Sequence, residues 1–146
     1  MQNKILMVRT IVLGIGLLGL GIEDLWKKEV HSLAVLLLGM AGAVLSFLGG
    51  DWVDWSVIVR FLPGALTLLL ACFTGESIGY GDGLVLLCLG CFLPVLEILN
   101  LCMMAITMAG LFALFLLTVR KKGKKTPIPF VPFLLAGYVV LLLTGY

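Results

Sequence analysis

The stretch TIVLGIGLLGLGI, residues 10–22, decides the fold because it contains no charged side chain and runs directly into Glu23 and Asp24. Its apolar residues do not alternate with polar ones, as they would in a membrane barrel, so the stretch indicates a membrane helix. The whole chain shares this character: 62% of its 146 residues are hydrophobic and 12% are charged, whereas a soluble domain carries roughly 25% charged residues. The composition predicts an all-α integral membrane protein surrounded by the lipid bilayer.

Six windows of the sequence are apolar enough to be membrane helices, each of which needs about 20 residues. The apolar run after residue 83 is nearly continuous, so five or seven elements are alternatives to six. The first window also resembles a signal peptide, but no small-residue cleavage site follows it, and we expect it to be retained. The chain is predicted to form a single transmembrane domain, residues 1–146. The six predicted spans are Ile5–Leu25, Val30–Leu48, Trp55–Phe73, Gly83–Asn100, Leu101–Val119 and Ile128–Tyr146.

Basic residues are distributed unevenly among the predicted loops. Because cytoplasmic loops are enriched in lysine and arginine, this distribution places the loops after spans one, three and five in the cytoplasm and both termini outside the cell membrane. The run RKKGKK, residues 120–125, is interpreted as a solvated connector, with a site for acidic lipid or a partner as the alternative. The loops after spans one and five contain seven of the ten basic residues, namely Lys27, Lys28, Arg120, Lys121, Lys122, Lys124 and Lys125.

Two aspartates fall at the cytoplasmic ends of predicted spans. Asp24 closes the first span, and Asp82 opens the fourth. An ionisable side chain at membrane depth is costly and is usually functional or partnered. We therefore predict that Asp24 and Asp82 lie at the same level and meet.

Glycines surround the second aspartate in the stretch GYGDG, residues 79–83. Gly79, Gly81 and Gly83 are expected to let the backbone bend and to let another chain approach, because glycine tolerates positive φ and has no side chain. The alternative is that the glycines only form a turn and that Asp82 caps the next helix.

These motifs resemble those of the prepilin peptidases, aspartyl membrane proteases that include the preflagellin peptidases. Asp24 ends an early span, and Gly79-Tyr80-Gly81-Asp82 matches the Gly-x-Gly-Asp motif of the family. Glu76-Ser77-Ile78 precedes that motif much as an acidic residue does in the family. Pro127-Ile128-Pro129-Phe130-Val131-Pro132-Phe133 resembles the Ile-Pro-Phe-x-Pro-Phe segment that starts the family's last helix. The similarity extends from about Gly21 to the C-terminus.

The resemblance implies a membrane endopeptidase with Asp24 and Asp82 as its catalytic residues. Its substrate would be a prepilin-like precursor with a short basic leader, a glycine before the cut and then an apolar helix. The carboxylates of Glu23, Glu29 and Glu76 are expected to attract the leader. No cofactor, metal or nucleic-acid partner is expected.

Some features depart from the family pattern. Val30-His31-Ser32 stands where Ile-Pro-Asn is frequent, and Gly83 stands where a lysine often follows the second aspartate. The cysteine-bearing insertion of the larger, N-methylating members is missing, so no methyltransferase activity is expected. Cys88 and Cys91 have the spacing of a zinc pair, but no second pair accompanies them, and they are interpreted as buried apolar residues.

Two other functional classes are alternatives to a peptidase. An inactive or repurposed relative would act as an assembly subunit, and a small transporter would use the aspartates to relay protons or bind cations. The apolar middle of each span argues against transport, because a conduction path needs polar groups across the bilayer. A presenilin-like protease would share the Gly-x-Gly-Asp motif, but this chain lacks the Tyr-Asp and Pro-Ala-Leu segments of that group.

Overall fold

The computed structural model describes residues 2–27, 30–50, 55–73, 79–120 and 128–144. Every regular element within these ranges is a helix, as the sequence predicts. The helices pack with α1 against α2 and α6, α4 against α3 and α2, and α5 against α3 and α6. In chain order they are α1 (Gln2–Lys27), α2 (Ser32–Gly49), α3 (Ser56–Phe73), α4 (Tyr80–Gly90), α5 (Val95–Arg120) and α6 (Val131–Leu143).

Within the described part of the chain, four helices are long and apolar enough to cross a membrane, namely α1, α2, α3 and α5. Helix α4 has 11 residues and α6 has 13, which correspond to lengths of about 16 and 20 Å at the helical rise. Both are shorter than a hydrocarbon core of about 30 Å. The structure therefore supports a multi-pass helical membrane protein, with four helices of spanning length and two short apolar helices packed against them.

The boundary predicted between spans four and five is wrong. Gly83–Asn100 is not one helix, since α4 ends at Gly90 and α5 begins at Val95, and Asn100 lies inside α5. Pro94 fits the start of α5 because it has no N–H to donate, and its carbonyl accepts the Ile98 N–H at 3.1 Å. The sixth element is also shorter than the predicted Ile128–Tyr146.

Two buried polar side chains donate hydrogen bonds to backbone carbonyl groups at the break between α4 and α5. Ser46 in α2 donates its hydroxyl to the Cys91 carbonyl at 2.7 Å, and Arg9 in α1 donates to the Phe92 carbonyl. Carbonyls that leave a helix inside a membrane protein need such partners, because lipid offers none. The chain therefore turns where α1 and α2 supply donors.

Helix α4 lies at the centre of the packing. Val85, Leu86 and Leu89 are buried, whereas most large side chains on the outward faces of α2, α3 and α5 are apolar and exposed. An apolar outer surface is the expected form of helices that face lipid tails. The closest approach to α4 is made by α3, where a Cβ added to Gly64 would lie 2.5 Å from the Leu87 backbone nitrogen.

We predict that Gly64→Ala destabilises the protein, because the new methyl group meets backbone and forces α3 away from α4. Overpacking of this kind costs about 1–3 kcal/mol. Gly110→Ala is the matched control, since no heavy atom lies within 4 Å of a Cβ at this position, and alanine favours the helix. Thermal unfolding in detergent, followed by circular dichroism, should show a lower Tm for Gly64→Ala only. Equal Tm values for both variants would contradict this account of the α3–α4 contact.

Candidate active site

Asp24 lies near the end of α1 and is buried, with 5% of its surface exposed. Its Oδ2 accepts the backbone N–H of Val131 at 3.1 Å. Val131 is the first residue of α6, where backbone N–H groups have no partner within the helix. The Asp24 carboxylate therefore caps α6 from a helix more than one hundred residues earlier in the chain, and this bond fixes its orientation.

Asp82 lies in the first turn of α4 and is half-buried. The N-cap position belongs to Gly79, whose carbonyl accepts the Asp82 N–H at 3.1 Å, and no side chain caps this helix. The alternative interpretation of Asp82 as the helix cap is therefore wrong. Within the described ranges no hydrogen bond involves the Asp82 carboxyl group, and its side chain is partly exposed.

The structure places Asp24 and Asp82 at the same end of the bundle. This end contains the last turns of α1 and the first turns of α4 and α6, since Asp24 bonds Val131 and a Cβ on Gly81 would lie 3.1 Å from the Val30 Cβ, just past α1. Among the residues that the structure describes, no three His, Cys, Asp or Glu side chains are grouped as they would be around a metal ion. The arrangement is two carboxyl groups at one end of the bundle: Asp24 accepts a hydrogen bond from a backbone amide, and the carboxyl of Asp82 has no hydrogen bond within the described residues.

The glycines of the motif lie where an added Cβ would come close to neighbouring atoms. A Cβ on Gly79 would lie 3.1 Å from the Asp82 Oδ2, and one on Gly81 would lie 3.1 Å from the Val30 Cβ. A Cβ on Gly83 would lie 2.8 Å from the Leu68 side chain. Among the described glycines only Gly50 has a positive φ, so the glycines of the motif do not use the left-handed conformation that glycine tolerates. The motif packs closely against other parts of the same chain, and the approach of a bound chain to these glycines stays a prediction.

Glu23, the first of the carboxylates expected to attract a leader, already has two neighbours. Its Oε1 lies 3.0 Å from the Lys27 Nζ and 3.3 Å from the His31 Nδ1, and 23% of its side chain is exposed. A cationic leader at this position would compete with Lys27 for the same oxygen. The other two predicted carboxylates, Glu29 and Glu76, lie outside the described residues.

The amide of Val131 is the site component that the sequence interpretation missed. The segment around it was used only as a family motif, and no role toward Asp24 was assigned to it. The signal was present, because Pro132 near the start of an apolar run marks a helix beginning, where free N–H groups are available. What the sequence did not contain was the distance between this helix start and Asp24.

No protein-family model, curated protein or solved structure matches this chain. The family resemblance therefore rests on the motifs themselves.

We predict that the hydrogen bond of Asp24, and not its charge, contributes most to the stability of the fold. Asp24→Asn keeps an oxygen that accepts the Val131 N–H and should unfold near the wild-type temperature. Asp24→Leu leaves that buried amide without a partner, which costs about 1–3 kcal/mol. Thermal unfolding of the two variants in detergent, followed by circular dichroism, measures their Tm values.

Asp82→Leu is the control for this comparison, since the Asp82 carboxyl has no hydrogen bond to lose within the described ranges. It should be clearly more stable than Asp24→Leu. If Asp24→Leu unfolds at the same temperature as the wild type, the bond to Val131 does not hold α6 in place.

Proposed function

We propose that this chain is a membrane aspartyl endopeptidase of the prepilin peptidase type, which removes the basic leader of prepilin-like precursors at the cytoplasmic face of the cell membrane. One observation carries the proposal. Asp24, held by the Val131 amide of the proline-rich motif, lies at the same end of the bundle as Asp82 of the glycine motif. Three sequence features that are far apart in the chain thus belong to one end of the bundle, as a dyad enzyme requires.

The proposed reaction is hydrolysis of a peptide bond by water. Two neighbouring carboxyl groups share one proton, so that one serves as a base while the other is an acid. The ionised group takes a proton from water as the oxygen attacks the scissile carbonyl carbon, and the protonated group donates to the carbonyl oxygen. Collapse of the tetrahedral intermediate breaks the C–N bond, and the amine leaves with a proton. Asp82 is the member of the pair with an unbonded carboxyl, and we assign it the contact with water.

The proposed substrate is the one that the family resemblance implies. The apolar helix of a precursor would pack among the spans, and the cut would fall at the membrane boundary. The basic leader would remain in the cytoplasm beside the acidic residues at the end of α1. This orientation agrees with the predicted topology, in which both termini are outside.

A repurposed, inactive relative is the second candidate, and the Asp24–Val131 bond is the observation that favours it. A carboxylate that caps a helix has a sufficient structural reason to be present. Proton or cation transport has weaker support, because buried leucines fill the bundle between its two ends, among them Leu13, Leu17 and Leu89. Activity of aspartate variants that remain folded separates the two candidates.

We predict that Asp24→Asn and Asp82→Asn each lower cleavage of a co-reconstituted prepilin precursor by at least about 100-fold, the usual contribution of a general acid or base. Cleavage is measured by the mobility shift of the precursor and by mass spectrometry of the released leader. Circular dichroism melts verify that each variant is folded. Wild-type cleavage by either folded variant would exclude the dyad and favour a structural role.

We also predict that substitutions of Lys27 and Glu23 change the KM for a basic leader in opposite directions. Lys27→Gln removes a charge that competes for the Glu23 carboxylate and should lower KM for a basic leader by about two- to fivefold, whereas Glu23→Gln should raise it by a similar factor. The value of kcat should change little, because the leader contact is the same in ground and transition states.

Lys4→Gln is the matched control, since Lys4 is an exposed lysine at the opposite end of α1. Both effects should shrink with added salt, which screens exposed charges. Changes of KM in the same direction for Lys27→Gln and Glu23→Gln would exclude an electrostatic contact with the leader.

A further inference from the structure

The first turn of α4, which contains Asp82, is weak on its own. It consists of Tyr80-Gly81-Asp82-Gly83, and no side chain in the described part of the chain caps it. Glycine is among the poorest helix formers because it loses the most backbone freedom on folding. The orientation of this turn therefore depends on contacts with other helices.

Helix α3 supplies such a contact at its last turn. The Tyr80 Oη lies 2.7 Å from the Cys72 Sγ, and either group can be the donor of this hydrogen bond. Ala71, beside Cys72, is buried, so the last turn of α3 is itself packed against the bundle. Because a Cβ on Gly83 would lie 2.8 Å from the Leu68 side chain, α3 contacts both the first and the last residue of this turn.

Tyr80 and Asp82 lie on opposite sides of the turn. Successive residues of an α-helix are rotated by about 100°, so side chains that are two positions apart leave the helix on nearly opposite faces. Tyr80 is exposed, whereas Asp82 is half-buried. A hydrogen bond at Tyr80 therefore limits the rotation of the turn and, with it, the direction of the Asp82 carboxyl group. The sequence analysis gave Tyr80 no role beyond the variable position of the motif.

We propose that Tyr80 and Cys72 are positioning residues, whose hydrogen bond joins the start of α4 to the end of α3 and holds the Asp82 carboxyl in the orientation needed for catalysis. The inference rests on the proposed function, in which Asp82 contacts the attacking water. Neither Tyr80 nor Cys72 takes part in the reaction itself. Loss of the bond lets the turn rotate, so that fewer molecules have Asp82 in the reactive geometry and kcat falls while KM changes little.

Cleavage of a prepilin precursor by the full chain in liposomes tests the proposal. Tyr80→Phe and Cys72→Ala should each lower kcat by about three- to tenfold, the effect of one hydrogen bond, with little change of KM or Tm. Cys72→Ser should keep most of the wild-type kcat, because a hydroxyl group can make the same bond. The double variant Tyr80→Phe/Cys72→Ala should lose no more than either single variant, and this comparison separates the pair from any other contact of Tyr80.

Tyr138→Phe is the matched control. It also removes one tyrosine hydroxyl, which bonds the Thr10 carbonyl away from the two aspartates, and its kcat should equal that of the wild type. Hydrogen–deuterium exchange measured by mass spectrometry is a second readout that needs no cleavage. The peptide that contains residues 81–84 should exchange faster in Tyr80→Phe than in the wild type, and at the wild-type rate in Tyr138→Phe.

Three results would each overturn the inference: wild-type exchange of residues 81–84 in Tyr80→Phe, faster exchange with an unchanged kcat, or fully additive losses in the double variant. A folded wild-type protein that cleaves no precursor would overturn the proposed function and the catalytic part of this inference together. The exchange measurement would then still decide whether the Tyr80–Cys72 bond holds the turn.

Discussion

The hydrogen bond from the Val131 amide to the Asp24 carboxylate is the interaction on which the candidate site depends. Helix α6 is too short to cross a bilayer, and its first N–H groups lie within an apolar molecule where water does not satisfy them. Asp24 supplies the missing acceptor at 3.1 Å. The same bond holds the carboxylate at the end of the bundle where α4 begins with the Asp82 motif. One side chain thus joins the first and last helices and forms half of the proposed dyad.

Much of the helical framework could be predicted from the sequence, because the length of an apolar run is a local property. The third predicted span, Trp55–Phe73, differs from α3 by one residue. That Asp24 and Asp82 lie at the same end of the bundle could also be anticipated, since they lie at the end of the first predicted span and at the start of the fourth. Their pairing stays a prediction.

Long-range contacts account for what the sequence could not predict. Residues 83–119 are apolar almost throughout, and the break after Gly90 occurs where Ser46 and Arg9 reach the carbonyls of the turn. These donors come from two other helices, so no local pattern marks their target. The same reason explains why Val131 was missed as the partner of Asp24.

The central claim is that Asp24 and Asp82 act as one acid and one base on a peptide bond. The pH dependence of kcat/KM for cleavage of a prepilin precursor by the wild-type protein in liposomes tests it most directly. A shared proton predicts a bell-shaped profile, with the rate rising as the first carboxyl ionises and falling as the second does. A pH profile of kcat/KM that shows a single ionisation would contradict the account. So would a folded protein that cleaves no prepilin precursor at any pH.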